Sequence, residues 1–571
     1  MSTVLRLLAA AFVVLVGACA VDQLEILRTA WFQLERQDTA RPMWNAAIYL
    51  AAYLTAVLGI TVAVCHRRAI RVAAIALSVG AACIQAALAA VNGVGFTHHE
   101  ASLLLTEWDF LGDALGFFLP RYWLAAGVAL LGGALAVWLA LRLGPRLRSW
   151  LWLALPLASA VVGQQVIDQT FGKVYQFPAP LRIALLTAWA WEHRLPVYAD
   201  REAPYFEPRQ APLANHIVLV VDESISGHWL GVNGAPIDTT PWLSSRPGGV
   251  FNYGIASAIS NLSSSSNIVL QTGLGPDALP DRELRALRGP NVFAYLSAAG
   301  FHTALIDAQT YSDSPPNLMT GFDLRRIDTV LRLREAEVGL PEYAVDFAAL
   351  PRVLALIEGH PRSFVYLIKT GAHLPYEDKS PPEERPFADG ASQGSRAIRE
   401  SYWNTIRWTT DRFLFELSRE LQSTGQEVLV IYTSDHGQWL ADGQTLDRKI
   451  SPHATVFDPP DEQASVPLLL LAFGPRTRAA VAERYSTALV DAASAYQIFP
   501  TVLQAAGYAP ADTGRRYPVS LFERDALRTR RTFVSGNIFG TNAGAYVLNR
   551  TVGDDCFVND FDVDAVRSPS P

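Results

Sequence analysis

The triplet Asp435-His436-Gly437 closes the apolar run EVLVIYTS. A carboxylate and an imidazole side by side at the end of a strand are a common way to hold one divalent metal ion. Alone, the triplet is as readily a plain turn. Far upstream, however, the run HIVLVV ends in Asp222-Glu223-Ser224, a second set of acidic groups released from an apolar segment. Two further places carry reactive residue types. One is SNLSSSSNIVLQTGL at 260–274, a hydroxyl-rich run that opens a helix; the other is KTGAHLPYE at 369–377, which puts His373 just past a strand. Another histidine, His453, lies in SPHATVFDPPDEQASVPLLL at 451–470, downstream of the triplet. Four separated stretches thus supply carboxylates, imidazoles and hydroxyls that fit one site.

The elements that must bring them together are also legible. Strands are expected at 217–222, 302–308, 363–369, 427–434 and 466–473. Several are unbroken apolar runs, as in central strands covered on both faces. Helices are expected around 291–299, 343–357, 398–424 and 489–507. The alternation predicts an α/β domain with a mostly parallel central sheet, and in such a sheet the site lies at the carboxyl edge. This domain is expected over 213–555, and a disordered acidic and Ser/Pro-rich tail over 556–571.

The first 169 residues read differently. Apolar stretches at 4–22, 45–65, 70–91, 122–141 and 149–168 are each close to the 20 or so residues that cross a bilayer. The short loops HRRAIR (Arg67, Arg68, Arg71) and RLGPRLR (Arg142, Arg146, Arg148) are basic and so expected inside. Five crossings would leave the C-terminal domain outside. VGAC at 16–19 also resembles a lipoprotein cleavage box with Cys19 as the lipidated residue, and that reading leaves the C-terminal domain on the same side. Residues 170–212 form a connector with an amphipathic segment, LRIALLTAWAWEHRL, which would lie on the membrane or begin the soluble domain. A net charge of -7 gives no sign of a nucleic-acid partner. Of the four cysteines, only Cys556 falls in the soluble part, so no internal disulfide can form there.

Taken together, these motifs resemble the alkaline phosphatase/sulfatase superfamily. They resemble most closely its membrane-anchored phosphoethanolamine transferases, and more distantly the lipoteichoic acid synthases. In the transferases a glutamate follows the first strand in a pattern like GE(T/S)xRxxxxxLNGY. Here DESISGHWLGVNG sets Glu223, Gly231, Asn233 and Gly234 at that spacing, with Ser226 where the family has arginine. Asp435-His436-Gly437 matches the family's DHG, GAHLP with His373 its GSHGP, and His453 through Pro467 its downstream histidine segment. Aligning on the following apolar helix sets Ser263 at the family's nucleophilic threonine, with Ser264, Ser265 and Ser266 adjoining it. Glu100, in GFTHHEASLLLTEWDF, resembles a glutamate near the lipid headgroup.

The resemblance implies Glu223, Ser263, Asp435 and His436 as ligands of one Zn²⁺, with room for a second near His373 and His453; other divalent ions suit the same donors. Asp222, next to Glu223, is an alternative ligand. A phosphodiester is anionic, so a hydroxyl nucleophile needs a cation to lower its pKa and offset repulsion. Ser263 is then the nucleophile, and His373 and His453 bind phosphoryl oxygens or protonate the leaving alkoxide. Glu100 would pair with an ethanolamine ammonium. The implied partners are a phospholipid donor, phosphatidylethanolamine foremost, and an envelope lipid (such as lipopolysaccharide) or glycan acceptor at the bacterial inner membrane. The formylglycine motif of sulfate-ester hydrolases is absent from the sequence. Phosphoglycerol transfer, phosphodiester hydrolysis, or a non-catalytic membrane scaffold remain as alternatives.

Overall fold

The computed structural model describes residues 2–21, 41–92, 96, 101, 111–170, 177–192, 200–310, 315–337, 339–387, 395–440, 459–523, 531–536, 538, 539 and 546–550. They divide mainly into two compact units, one up to Leu195 and one from Pro196.

The first unit is helical: α1 (Thr3–Val21), α2 (Arg41–Cys65), α3 (Arg68–Asn92), α4 (Leu111–Leu143), α5 (Ala154–Thr170) and α6 (Ala179–Glu192). Runs of alanine, leucine and valine form these helices, and small residues let them approach closely. A Cβ on Gly59 would stand 3.0 Å from Ser159 Oγ and 3.1 Å from Pro156 Cα, so α2 and α5 pack backbone to backbone there. Each of the five expected spans is met by a helix. Among the described residues, however, only Thr3–Val21 and Arg68–Leu88 are long and apolar enough to cross a bilayer; Leu50–Cys65, Gly127–Leu143 and Trp150–Gln164 are apolar but shorter. The amphipathic segment is α6, and it packs within this unit. Its Leu185, Leu186 and Trp189 share a cluster with Ala56, Phe96 and Phe177.

The second unit is built on a sheet of seven strands: β1 (His216–Asp222), β2 (Val250–Ser257), β3 (His302–Asp307), β4 (Thr329–Arg332), β5 (Ser363–Ile368), β6 (Val428–Ser434) and β7 (Ser465–Phe473), in the order β2-β7-β6-β1-β5-β3-β4. A two-stranded sheet joins β8 (Arg531–Ser535) to β9 (Tyr546–Arg550). β6, β1, β5, β3 and β4 are mutually parallel; β7 runs antiparallel to both β6 and β2. β7 departs from the expected parallel alternation because the chain leaves β6 and re-enters at the same edge, where Gly437 N–H donates to Gln463 O at 3.2 Å. β2 and β4 were not expected. VFNYGIAS has a glycine and an asparagine in mid-run, and TVLR is only four residues long.

Helices cover both faces. Helices α7 (Ser263–Thr272) and α8 (Val292–Ala298) lie on one side, where Phe293 meets Phe364 and Tyr366. On the other lie α9 (Ala349–Gly359), α10 (Ser395–Thr405) and α11 (Phe413–Thr424). Strand residues Val218, Val220, Ile306, Val365, Leu367 and Val430 bury there against Val353, Leu356, Phe413 and Leu417. Strand positions two apart share a face, so the same runs fill two cores. The Pro-rich stretch before β1 is held on this unit: Arg209 and Gln210 N–H donate to Gly507 O, and Leu213 N–H to Ala505 O.

Candidate functional site

The register of β1 against β6 pairs Asp222 with Ser434, so the residues that follow each strand emerge together. Asp435 N–H donates to Asp222 O at 3.0 Å. Ser224, at φ 60, turns the chain sharply after Glu223. Its N–H donates to Asp435 Oδ1 at 3.1 Å and its hydroxyl to Glu223 Oε1 at 2.8 Å. Glu223, Asp435 and His436 are all buried, with one ligand-type atom from each within 4.8 Å of the others. His436 Nε2 lies 3.3 Å from Glu223 Oε1 and 3.8 Å from Asp435 Oδ2. Gly437 is required by space, since a Cβ there would fall 1.8 Å from Glu462 O and 2.3 Å from Ser465 O.

Ser263 opens α7 on the other side of the trio. Its Oγ lies 3.2 Å from Glu223 Oε2 and 3.3 Å from His436 Nε2. The Ser265 and Ser266 hydroxyls are engaged elsewhere. Ser266 Oγ donates to Ser260 O, and Ser265 Oγ accepts from Ile538 N–H. Asn267, one turn on, donates to Ser263 O and accepts from Tyr366 OH, which anchors the start of the helix to β5.

The electrostatics are those of a crowded acidic pocket. Burial pushes Asp435 well above the usual carboxylate range, and the Glu223 charge adds to it. Burial also works against ionised Glu223, but hydrogen bonding and attraction to His436 prevail and hold it well below its ordinary value. Burial disfavours the His436 imidazolium, yet Asp435 and Glu223 lift it to about 9. Among the described residues, Asp435 Oδ2 is buried with no hydrogen-bond partner. His436 Nδ1 faces Gly437 O at 2.8 Å; donating there leaves Nε2 as the lone-pair nitrogen toward the trio, the usual arrangement for a metal-bound imidazole. An orphaned carboxylate oxygen, a second carboxylate, an oriented imidazole and a hydroxyl are donors that fit a divalent cation such as Zn²⁺.

His373 follows β5, half-buried, with its Nδ1 2.9 Å from Leu374 O, and its charge helps to lower Glu223. His453 and Glu100 lie outside the described residues. Asp222 faces away from the trio: its Oδ2 accepts from Lys369 Nζ at 2.7 Å and from Tyr432 OH at 2.8 Å. Gln309, just past β3, escaped the sequence reading. Its Nε2 donates to Glu223 Oε2 at 2.9 Å and to Lys369 O at 2.8 Å. An amide two residues beyond a strand carries no signal of its own; only the neighbouring strand order brings it to Glu223.

Comparison with known proteins places this geometry in context. The family model described as Sulfatase matches residues 215–508. A curated phosphoethanolamine transferase EptA of Helicobacter pylori is 26% identical over 286 residues, 48% of this chain and 51% of the relative; the match spans about half the relative's length. The integral membrane lipooligosaccharide phosphoethanolamine transferase A of Neisseria meningitidis is similar in structure, with a TM-score of 0.60 at 17% identity over 88% of this chain and 97% of that one. The C-terminal periplasmic domain of EptC from Escherichia coli gives a TM-score of 0.50 at 17% identity, over 60% of this chain and 94% of that one. At these identities the structural likeness establishes the fold.

Proposed function

We propose, for a chain that belongs to the sulfatase family, that the carboxyl-edge site transfers phosphoethanolamine from a phospholipid to an envelope lipid or glycan through a covalent intermediate on Ser263. The observation that carries this reading is the place of Ser263 Oγ, within 3.3 Å of both Glu223 Oε2 and His436 Nε2 at the start of a ten-residue helix. The ethanolamine headgroup is taken from the Helicobacter pylori relative.

Glu223, Asp435, His436 and Ser263 would hold the metal, Zn²⁺ by preference. A bound dication supplies charge neutralisation for the phosphodiester and lowers the pKa of the serine hydroxyl. Ser263 Oγ, its proton released to solvent, attacks phosphorus while the bond from phosphorus to the diacylglycerol oxygen breaks. That oxygen leaves as an alcohol, with its proton supplied by His373 or His453. The helix N-terminus favours the anionic phosphoryl group now esterified to Ser263. An acceptor oxygen then attacks the same phosphorus, the seryl ester bond breaks, and Ser263 regains its proton. His373 and His453 serve this second half in reverse, and ping-pong kinetics follow. Glu100 would pair with the ethanolamine ammonium at the membrane surface.

The helical unit would anchor the enzyme by five spans, with the catalytic unit on the periplasmic side. Large apolar side chains stand exposed along its helices, among them Leu77 at 70% and Leu131 at 72%, as lipid-facing residues would.

Intact mass of the purified protein after incubation with phosphatidylethanolamine tests the reading. An adduct of phosphoethanolamine mass is expected on the wild type and on Ser264→Ala, and none on Ser263→Ala. Absence of the adduct from metal-loaded wild type would move the reading to phosphoglycerol donors or to hydrolysis.

A further inference from the structure

We propose that Lys369 is a positioning residue that decides which of two adjacent carboxylates serves the metal: it ties Asp222 down outside the site and leaves Glu223 as the ligand. The inference rests on the metal reading given above. β1 delivers two acids in succession to the mouth of one acidic pocket. Strand alternation starts the two side chains toward opposite faces; beyond the strand, where the chain turns sharply at Ser224, the contacts of each side chain hold it there.

Asp222 is restrained on every side that can be traced. Its Oδ2 accepts from Lys369 Nζ at 2.7 Å, Tyr432 OH at 2.8 Å and Thr410 Oγ1 at 3.3 Å. Its Oδ1 accepts from Glu223 N–H at 3.1 Å. Gly371 closes the remaining approach, for a Cβ there would lie 2.2 Å from Asp222 Oδ1. Among the described residues, the hydrogen-bond donors to Glu223 besides His436 are neutral: Gln309, Ser224 and Ser263. The lysine ammonium thus sits behind Asp222, whereas neutral donors and the His436 imidazole orient Glu223.

Lys369 is itself completely buried. Its ammonium is met by Asp222, by Asp346 Oδ2 at 3.9 Å, by Thr409 O and by the Phe413 ring at 4.4 Å. Thr409 belongs to a π-helical turn, Ile406–Arg412, that interrupts the passage from α10 to α11. Such turns release carbonyls from the regular helical ladder and often mark functional sites. A buried ion pair is commonly no more stabilising than a well-packed apolar pair. Stability alone therefore gives little reason for this lysine, whereas placing Asp222 does.

The test loads the full-length protein in detergent with Co²⁺, reads its visible absorption as a signature of the ligand set, and measures Zn²⁺ affinity by chelator competition. Lys369→Met is expected to change the Co²⁺ spectrum and to weaken Zn²⁺ binding about 10–100-fold, the range for a lost supporting contact. Adding Asp222→Asn to that variant removes the competing charge, and the wild-type spectrum is expected to return with affinity close to wild type. A wild-type spectrum in Lys369→Met, or a double variant as altered as the single one, would overturn the proposal. If Lys369→Met does not fold, the double variant decides alone, by the same spectrum. Wild-type protein that binds neither ion would overturn the metal reading itself, and this role with it.

Discussion

Gly437 shows how little freedom the site allows at the level of one residue. Its carbonyl faces His436 Nδ1 at 2.8 Å and so sets which imidazole nitrogen meets the carboxylates. Its missing side chain lets the loop lie against the entry to β7, where a Cβ would be 1.8 Å from Glu462 O. Gly437→Ala must push that backbone away, at a cost of about 1–3 kcal/mol by analogy with overpacked cores. The displacement also turns the carbonyl that orients His436. Thermal unfolding should therefore show a lowered Tm, and elemental analysis a metal content well below that of wild type. A variant with unchanged metal content would mean that the loop tolerates the shift and that His436 is oriented by other contacts. Glu223 and Asp435 were legible in the sequence because each directly follows an apolar strand, with His436 next after Asp435, where a polar residue has few structural reasons to be. Gln309 and Lys369 were not. Their meaning depends on which strands neighbour β1, and strand order is a property of the folded sheet.

At the level of elements, the register of β1 on β6 and β5 does most of the positioning, and the loops beyond the strands need their own fixings. Glu342 provides one. It accepts from Arg334 at 2.6 and 2.9 Å and from Lys379 at 2.8 Å, joining the segment after β4 to the loop that follows His373. Burial works to raise this carboxyl, but the two cations outweigh it and hold it below the usual range. The folded pKa is thus lower than the unfolded one. The stabilisation is fully present above the ordinary glutamate value of about 4.3 and is lost as pH falls below it. Glu342→Gln is expected to cost about 1–2 kcal/mol at pH 7, a discounted figure for a charge-assisted bond on a partly exposed group. Its deficit against wild type should shrink in melts taken below pH 4. A deficit that stays constant with pH would assign Glu342 a packing role instead. The five expected strands were readable from apolar runs, whereas β2 and β4 were not: a broken pattern and four residues give no period to read. The π-helical turn in the expected 398–424 helix is likewise invisible, because apolar spacing does not report which carbonyl a backbone N–H selects.

Over the whole molecule, the decisive feature is the basic charge gathered at one end of the helical unit. Arg6 donates to Leu143 O at 3.1 Å and to Gly144 O at 3.0 Å; Arg67 donates to Arg148 O at 3.0 Å, and Leu147 N–H to Cys65 O at 3.0 Å. The start of the chain and both basic loops therefore meet at one end. That end carries Arg6, Arg67, Arg68, Arg71, Arg142, Arg146 and Arg148, and neither 60–75 nor 140–150 contains an acidic residue. Arginine near the ends of apolar helices is retained on the cytoplasmic side. On the five-span arrangement proposed above, the second unit would lie on the opposite side of the membrane, and that placement can be tested directly. The native cysteines, Cys19, Cys65, Cys83 and Cys556, can be replaced by serine to give a background for labelling. Single cysteines at Ser149, in the basic end, and at Ser245, on the catalytic unit, are both exposed. In intact spheroplasts a membrane-impermeant maleimide should label Ser245→Cys and leave Ser149→Cys untouched until the membrane is opened with detergent. The reverse pattern would put the catalytic unit in the cytoplasm, and labelling of both without detergent would mean that the helical unit does not cross the bilayer.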